Sequence, residues 1–192
     1  MRDQIRDILL ESIHVKEELL RTAIGQIVEI TELTIECLKK GGKVILFGNG
    51  GSASDSQHIA AELVGRFKRD RAGLPAIALT TNTSILTAVA NDYGYDLVFA
   101  KQVEALAQKN DLIIGISTSG KAKNVASGIR QAKKMGLKTV ALTGGDGGDL
   151  AKLADLSVLV PSSVTARIQE AHITIGHAIC DIVEQTLFQE EK

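Results

Sequence analysis

The sequence predicts an α/β domain, a parallel sheet with helices on both faces, and three observations carry that prediction. Five short apolar runs are spread along the chain, helical patterns separate them, and turns rich in glycine or hydroxyl residues follow three of the runs. Strands that alternate with helices are joined by crossovers, which makes neighbouring strands parallel and lays a helix on the sheet after each one.

From Asp3 to about Lys40 the residues Ile5, Ile8, Leu9, Ile13, Ile24, Ile27, Val28, Ile35 and Leu38 recur at helical spacing, so two helices precede the first strand. Gly41 and Gly42 supply a helix stop. KVILFG (43–48) is a continuous apolar run of the kind a buried parallel strand shows, and AIALT (76–80), DLIIGIS (111–117), KTVALTG (138–144) and LSVLVP (156–161) follow it. The helices between them are expected near 52–64, 83–91, 97–107, 121–135 and 148–154, and a last one over 165–188. With no internal repeat, low-complexity tract or linker, residues 1–192 read as one domain: a helical pair over 1–41 and an α/β core over 42–192.

Composition narrows the function. Twenty-two Lys and Arg against 23 Asp and Glu give a net charge of −1, which lacks the broad basic footprint of a nucleic-acid binder. An anionic ligand would have to be held locally. Cys37 and Cys180 are far apart, show no CxxC spacing, and read as buried, reduced thiols. The N-terminal stretch is charged throughout and no segment reaches the ~18 apolar residues of a membrane span. A cytoplasmic, soluble protein without membrane contact is expected.

In a doubly wound sheet ligands sit beyond the carboxyl ends of the strands, and the distinctive motifs fall there. GNGGS (48–52) follows the first strand, STSG (117–120) the third, and TGGDGG (143–148) the fourth. Ser52 reads as a helix N-cap with Asp55 completing an approximate capping box, and the glycines allow close approach of a ligand. The spacing matches neither the dinucleotide fingerprint nor the P-loop. Ser117, Thr118 and Ser119 place three hydroxyls beside a helix N-terminus, which suits a phosphate monoester or, equally, a turn that caps its own helix. TGGDGG reads as a turn and helix start. His58 and Glu62 stand four apart on one helix face, and Gln169 and His177 about two turns apart on the last helix. His172 points elsewhere and reads as packing or interface, and His14 as surface. Asn91 and Asp92 end a helix, as turn residues do. Arg66, in the basic loop 65–73, lies close enough to the His58/Glu62 helix to approach an anion.

GNGGSxxxxxHxxxE, then ND, STSG, LTGxDGG and RIQExHxxxGH, in this order, resemble the sugar isomerase (SIS) family along essentially the whole chain. The resemblance implies a three-layer sandwich with a flavodoxin-like five-stranded parallel sheet, and a homotetramer, built partly through the N-terminal helical pair, with sites between subunits. It further implies interconversion of the sugar phosphates D-sedoheptulose 7-phosphate and D-glycero-D-manno-heptose 7-phosphate, the first step toward ADP-heptose for bacterial surface polysaccharide. Position by position it makes Asn49, Gly50 and Gly51 a substrate loop, Ser52, Ser117, Thr118 and Ser119 a phosphate cradle, and Asn91 and Asp92 sugar contacts. It implies zinc held by His58, Glu62, Gln169 and His177. Ala122 departs from the family, which usually has a further phosphate-donating Ser there, and whether Lys121 or Lys123 replaces it stays open.

Aldose–ketose isomerisation moves a proton between neighbouring carbons and needs a base at carbon with an acid at oxygen, for which Glu62 and His177 are the candidates, their order left open. A non-catalytic relative that binds the bacterial replication initiator is the alternative. That branch lacks the Glu and the second His, both present here.

Overall fold

The computed structural model describes residues 1–188. Two helices, α1 (Arg2–Thr22) and α2 (Ile24–Lys39), lead into β1 (Val44–Gly48), α3 (Gly51–Val64), β2 (Ala76–Ala78) and α4 (Thr83–Tyr93). A single 3-10 turn, Tyr95–Leu97, opens α5 (Val98–Leu106). Then come β3 (Leu112–Ser117), α6 (Lys123–Lys134), β4 (Lys138–Gly144), α7 (Gly148–Leu153), β5 (Leu156–Val160) and α8 (Thr165–Leu187).

The central apolar runs are strands because both of their faces are covered. Val44, Ile45, Leu46 and Phe47 of β1 are fully buried, and burying such side chains contributes roughly 1.5–3 kcal/mol each. Their side chains alternate between faces. Val44 and Leu46, with Ile114, Ile116, Val140 and Leu142, join a core against α2, α3 and α8. Ile45 and Phe47, with Ile113 and Ala141, face the other way onto α5, α6 and α7, where Phe47 stacks on Phe99 at 5.0 Å between ring centroids. The result is the three-layer sandwich expected.

The sheet is five-stranded, in the order β2-β1-β3-β4-β5, and every pair is parallel. That is the flavodoxin-like order, with its switch point between β1 and β3. Register sets the three motif turns side by side at one edge of the sheet: Gly48 lies opposite Ile116, and Ser117 opposite Thr143.

One local expectation is corrected. Ser52 is not the N-cap of α3, which starts at Gly51 with Gly50 at the cap position (φ 55°, ψ −121°) and no side-chain cap. Ser52 is buried, its amide is bonded to the Asn49 carbonyl, and Asp55 forms no capping box. The tight GNGG turn does the work a capping side chain would otherwise do, since a positive φ at Gly50 swings the chain directly into the helix. Among the described residues no helix is long and apolar enough to cross a membrane.

Candidate active site

The crossing of α3 and α8 brings His58, Glu62 and His177 together. Gly176 is the contact: a Cβ there would lie 2.6 Å from Cδ1 of Ile59, so only glycine lets the two helices approach this closely. His58 precedes Ile59 and His177 follows Gly176, and the same crossing therefore juxtaposes the two imidazoles. Their Nε2 atoms lie 3.4 Å apart, and Oε1 of Glu62 sits 3.0 Å from that of His58 and 3.3 Å from that of His177. The other carboxylate oxygen, Glu62 Oε2, is buried and makes no hydrogen bond among the described residues.

These three residues form a group that could hold a metal ion. The geometry supports it, since a tetrahedral centre with ligands at about 2.0–2.1 Å has edges of about 3.3 Å, and the three separations match that spacing. Gln169 stands two turns earlier on α8, with its carboxamide lying over Gly51, whose Cβ would meet the Gln169 Nε2 at 2.4 Å. It thereby links the GNGGS turn to the helix bearing His177.

A loop locks the rear of this cluster. Glu184, two turns beyond His177, accepts the backbone amides of Phe67 (2.9 Å), Lys68 (2.8 Å) and Arg69 (2.8 Å), and the Nε–H of Arg71 (2.9 Å). Burial alone would raise the Glu184 carboxyl, but these four donors outweigh it and hold it down at about 2. Arg71 in turn donates to the carbonyls of Glu62 and Leu63, where a cation suits the C-terminal end of α3. The loop so held presses the Phe67 ring toward His177, 5.9 Å between centroids. Arg66, in the same loop, is exposed.

Two further groups border the cluster. Burial raises the Asp55 carboxyl to about 6, with His58 and His177 pulling the other way, and its Oδ2 is buried without a hydrogen bond among the described residues. Burial also raises the thiol of Cys180, and the neighbouring Glu62 carboxylate adds to it. Cys37 and Cys180 are both buried and free, as expected. His172 is packing: it is buried, its Nε2–H donates to the Thr143 carbonyl at 3.1 Å, and burial pushes it down to about 4.

The hydroxyl residues line the neighbouring turns. Ser117 is buried at the end of β3, Thr118 half-buried and Ser119 exposed, its Oγ accepting from the Lys121 amide. Gly120 (φ +63°) packs directly against TGGDGG, with a Cβ there 2.0 Å from the Gly147 carbonyl oxygen, and its own carbonyl accepts the Leu150 amide. TGGDGG is thus the buttress of the STSG turn as well as the start of α7. Ala122 occupies the N-cap position of α6 and supplies no side-chain cap. Asn49 reaches across to Asn124 and Tyr95. Asn91 and Asp92 are exposed at the end of α4 and bond to each other at 2.8 Å, with no hydrogen bond to the rest of the site among the described residues.

Residues 10–144 match the family model described as SIS domain. The chain is 57% identical over 179 residues to a phosphoheptose isomerase of Roseiflexus sp. (strain RS-1), covering 93% of this chain and 91% of that protein. The chain belongs to the phosphoheptose isomerase branch of the SIS-domain family. Solved structures of phosphoheptose isomerases agree: that from Neisseria gonorrhoeae superposes with a TM-score of 0.91 at 43% identity over 96% of this chain and 98% of its own. That from Francisella tularensis gives 0.92 at 40% identity over 95% and 97%. The SIS-domain match includes the first two motif turns, His58 and Glu62, whereas His177 lies beyond it and is covered by the full-length relatives.

Sequence reasoning missed Tyr95, Asn124 and Glu184, and read Asp55 as a capping residue and Cys180 as a buried thiol without joining either to the cluster. Two of them carried a signal in their spacing: Asp55 lies three residues before His58 and Glu184 seven after His177, one and two turns along the same helix faces.

Proposed function

We propose that this protein interconverts D-sedoheptulose 7-phosphate and D-glycero-D-manno-heptose 7-phosphate. The observation that carries this reading is the meeting of Glu62 and His177 at 3.3 Å, beside hydroxyl-bearing turns at the switch point of the sheet. Its relatives, named phosphoheptose isomerases, support the substrate. The product is the aldose from which ADP-heptose for surface polysaccharide is made. The pair of Glu62 and His177 also argues against a purely binding role, which would need neither.

The phosphate is held by Ser52, Ser117, Thr118 and Ser119, with Asn49, Gly50, Gly51, Asn91, Asp92 and Gln169 around the sugar. Glu62, whose Oε1 lies beside both imidazoles, is the carbon base. It takes the proton from C1 of the ketose as that bond's electrons form the C1–C2 double bond, and His177 passes a proton to the C2 oxygen. In the second half the C1 hydroxyl returns a proton to His177 as the C1 carbonyl forms, and Glu62 delivers its proton to C2.

Zinc fits the nitrogen and carboxylate donors of His58, Glu62 and His177, with Gln169 as the fourth proposed ligand, and would supply Lewis-acid polarisation of the substrate carbonyl. The exposed apolar residues Ile5, Ile8, Leu9 and Ile13 of α1, each at least 50% exposed, support a homotetramer assembled through the helical pair, since monomers rarely expose such stripes. The deciding experiment incubates purified protein with sedoheptulose 7-phosphate, with and without chelator, and follows the aldose by NMR. Product without chelator is expected; a folded protein that makes none in either arm overturns the proposal.

A further inference from the structure

Asn49 and Asn124 face each other across the switch point and exchange two hydrogen bonds. Asn49 Nδ2 donates to Asn124 Oδ1 at 2.9 Å, and Asn124 Nδ2 donates to Asn49 Oδ1 at 2.8 Å. Asn124 is 3% exposed, on the first turn of α6, and its Oδ1 also accepts the backbone amide of Val125 at 2.9 Å. That amide is one of those a helix N-terminus leaves without an intrahelical partner, and Ala122 at the cap position offers it nothing.

The backbone amide decides how both side chains are turned. An N–H of the main chain needs an oxygen opposite it, so Asn124 presents Oδ1 to Val125, and the atom of Asn49 that shares this oxygen must be nitrogen. The Tyr95 hydroxyl, donating to Asn49 Oδ1 at 3.3 Å, reinforces the same orientation. Counting capacity, Asn49 Oδ1 accepts two hydrogen bonds and is full, while Nδ2 has used one of its two N–H groups. Half-buried Asn49 is left able to donate once and unable to accept.

We propose that Asn124 is a positioning residue, which fixes the Asn49 carboxamide so that it offers a ligand a single N–H and selects an acceptor oxygen of the bound sugar phosphate. The clamp also ties the turn after β1 to the helix that follows the STSG turn. This inference rests on the reading that the cleft binds a sugar phosphate. It adds that Asn49 acts only as Asn124 allows.

A double-mutant cycle tests it, with kcat/KM for sedoheptulose 7-phosphate measured for wild type, Asn49→Ala, Asn124→Ala and the double variant. Each single variant is expected to lose about tenfold, the worth of one hydrogen bond to an ionised or polar ligand atom. In the Asn49→Ala background, Asn124→Ala should add less than about twofold, because the two act as a unit. Equal losses in both backgrounds would mean that Asn124 supports the fold without orienting Asn49, and would overturn the proposal. Asn124→Asp is the second variant: it keeps an acceptor for Val125 but turns an oxygen toward Asn49 Oδ1. It should lose as much kcat/KM as Asn124→Ala, with a lowered Tm because two acceptors now face each other in the interior, and wild-type kinetics there would equally overturn the orientation. If the wild type turns over no heptose phosphate, the functional reading fails by itself. The clamp is then decided on the Tm values of the same four proteins, where coupled losses sustain it and additive losses end it.

Discussion

The turn after β3 is held through the main chain, and one carboxamide pair ties the turn after β1 to the helix that follows the β3 turn. Gly120 abuts the Gly147 carbonyl, the Leu150 amide bonds the Gly120 carbonyl, and the Asn49–Asn124 pair bridges the two turns. His58, Glu62 and His177 stand instead as side chains on α3 and α8, with 119 positions separating the two imidazoles, and their positions depend on one helix crossing and on the loop that Glu184 gathers. Recognition of a constant dianion tolerates a rigid frame. Proton transfer between two carbons requires groups whose protonation changes, and such groups have to be side chains. The two regions should therefore fail differently when altered.

The sharpest break in the comparison is Glu62→Gln. An amide of the same shape keeps the crossing but cannot accept the proton, so kcat should fall by about a thousandfold or more while sugar-phosphate binding, measured by calorimetry, persists. Activity near wild type would move the base elsewhere.

Glu184→Gln should come next, and should act on the fold before the chemistry. Removing one partner of the Arg71–Glu184 pair, whose side chains are 2% and 1% exposed, strands a buried cation and should cost about 3–5 kcal/mol of unfolding free energy. The pH dependence has a definite sign. The Glu184 carboxyl is depressed in the fold from 4.5 to about 2, so its stabilisation is complete above pH 4.5 and is lost as pH falls toward 2. His172, held neutral by burial at about 4 against an ordinary 6.5, loses its share earlier, between those values. Asp55, raised by burial from 3.8 to about 6, gains stability over nearly the interval in which His172 loses it, so the net loss on acidification should fall mainly below pH 4.5, where Glu184→Gln should flatten it in urea titrations. An unchanged acid limb would show that the loop is not held by this charge.

Gly120→Ala probes the main-chain region. A Cβ at φ +63° that also meets a carbonyl oxygen at 2.0 Å should destabilise by about 2–4 kcal/mol and loosen the STSG turn. KM should rise while the pH profile of kcat, which reports the helix-borne groups, keeps its shape. A profile that shifts would mean that the two regions are not mechanically separate.

The same division governed what the sequence revealed. The turn motifs are contiguous, and β1 and β3 were legible because they are buried along their whole length, whereas the edge strands β2 and β5, partly exposed, were legible as short apolar runs between turns. His58 with Glu62 was legible as a helical spacing. What joins them to His177 was not, because Gly176 is an unmarked glycine within a helix and its fit against Ile59 exists only once the helices cross. Ser52 misled for a local reason: Ser before a helix usually caps it, but positive φ at Gly50 starts α3 one residue early and turns Ser52 inward. Glu184 and Asn124 were hidden because their partners are backbone amides, Phe67 to Arg69 and Val125, and a backbone amide leaves no trace in the identity of the residue that carries it.

Ser119→Ala carries the smallest expected effect and bears most directly on the hydroxyl turn. Ser119 is exposed and its Oγ accepts from the Lys121 amide, leaving its own hydrogen to donate to a phosphate oxygen. Losing one donor to a charged ligand costs about 1.5–3 kcal/mol, so kcat/KM should fall by roughly 10- to 150-fold with little change in Tm. The division of that loss is informative. A phosphate held only for affinity would raise KM alone, whereas a phosphate whose binding places the reacting carbons over Glu62 would also lower kcat. We expect both, with KM taking the larger part. A rise in KM at constant kcat would show that the rigid frame binds its anion without aligning the carbons. Unchanged kinetics would remove Ser119 from the cradle and leave Ser117 and Thr118 to hold the phosphate with the backbone amides of the turn.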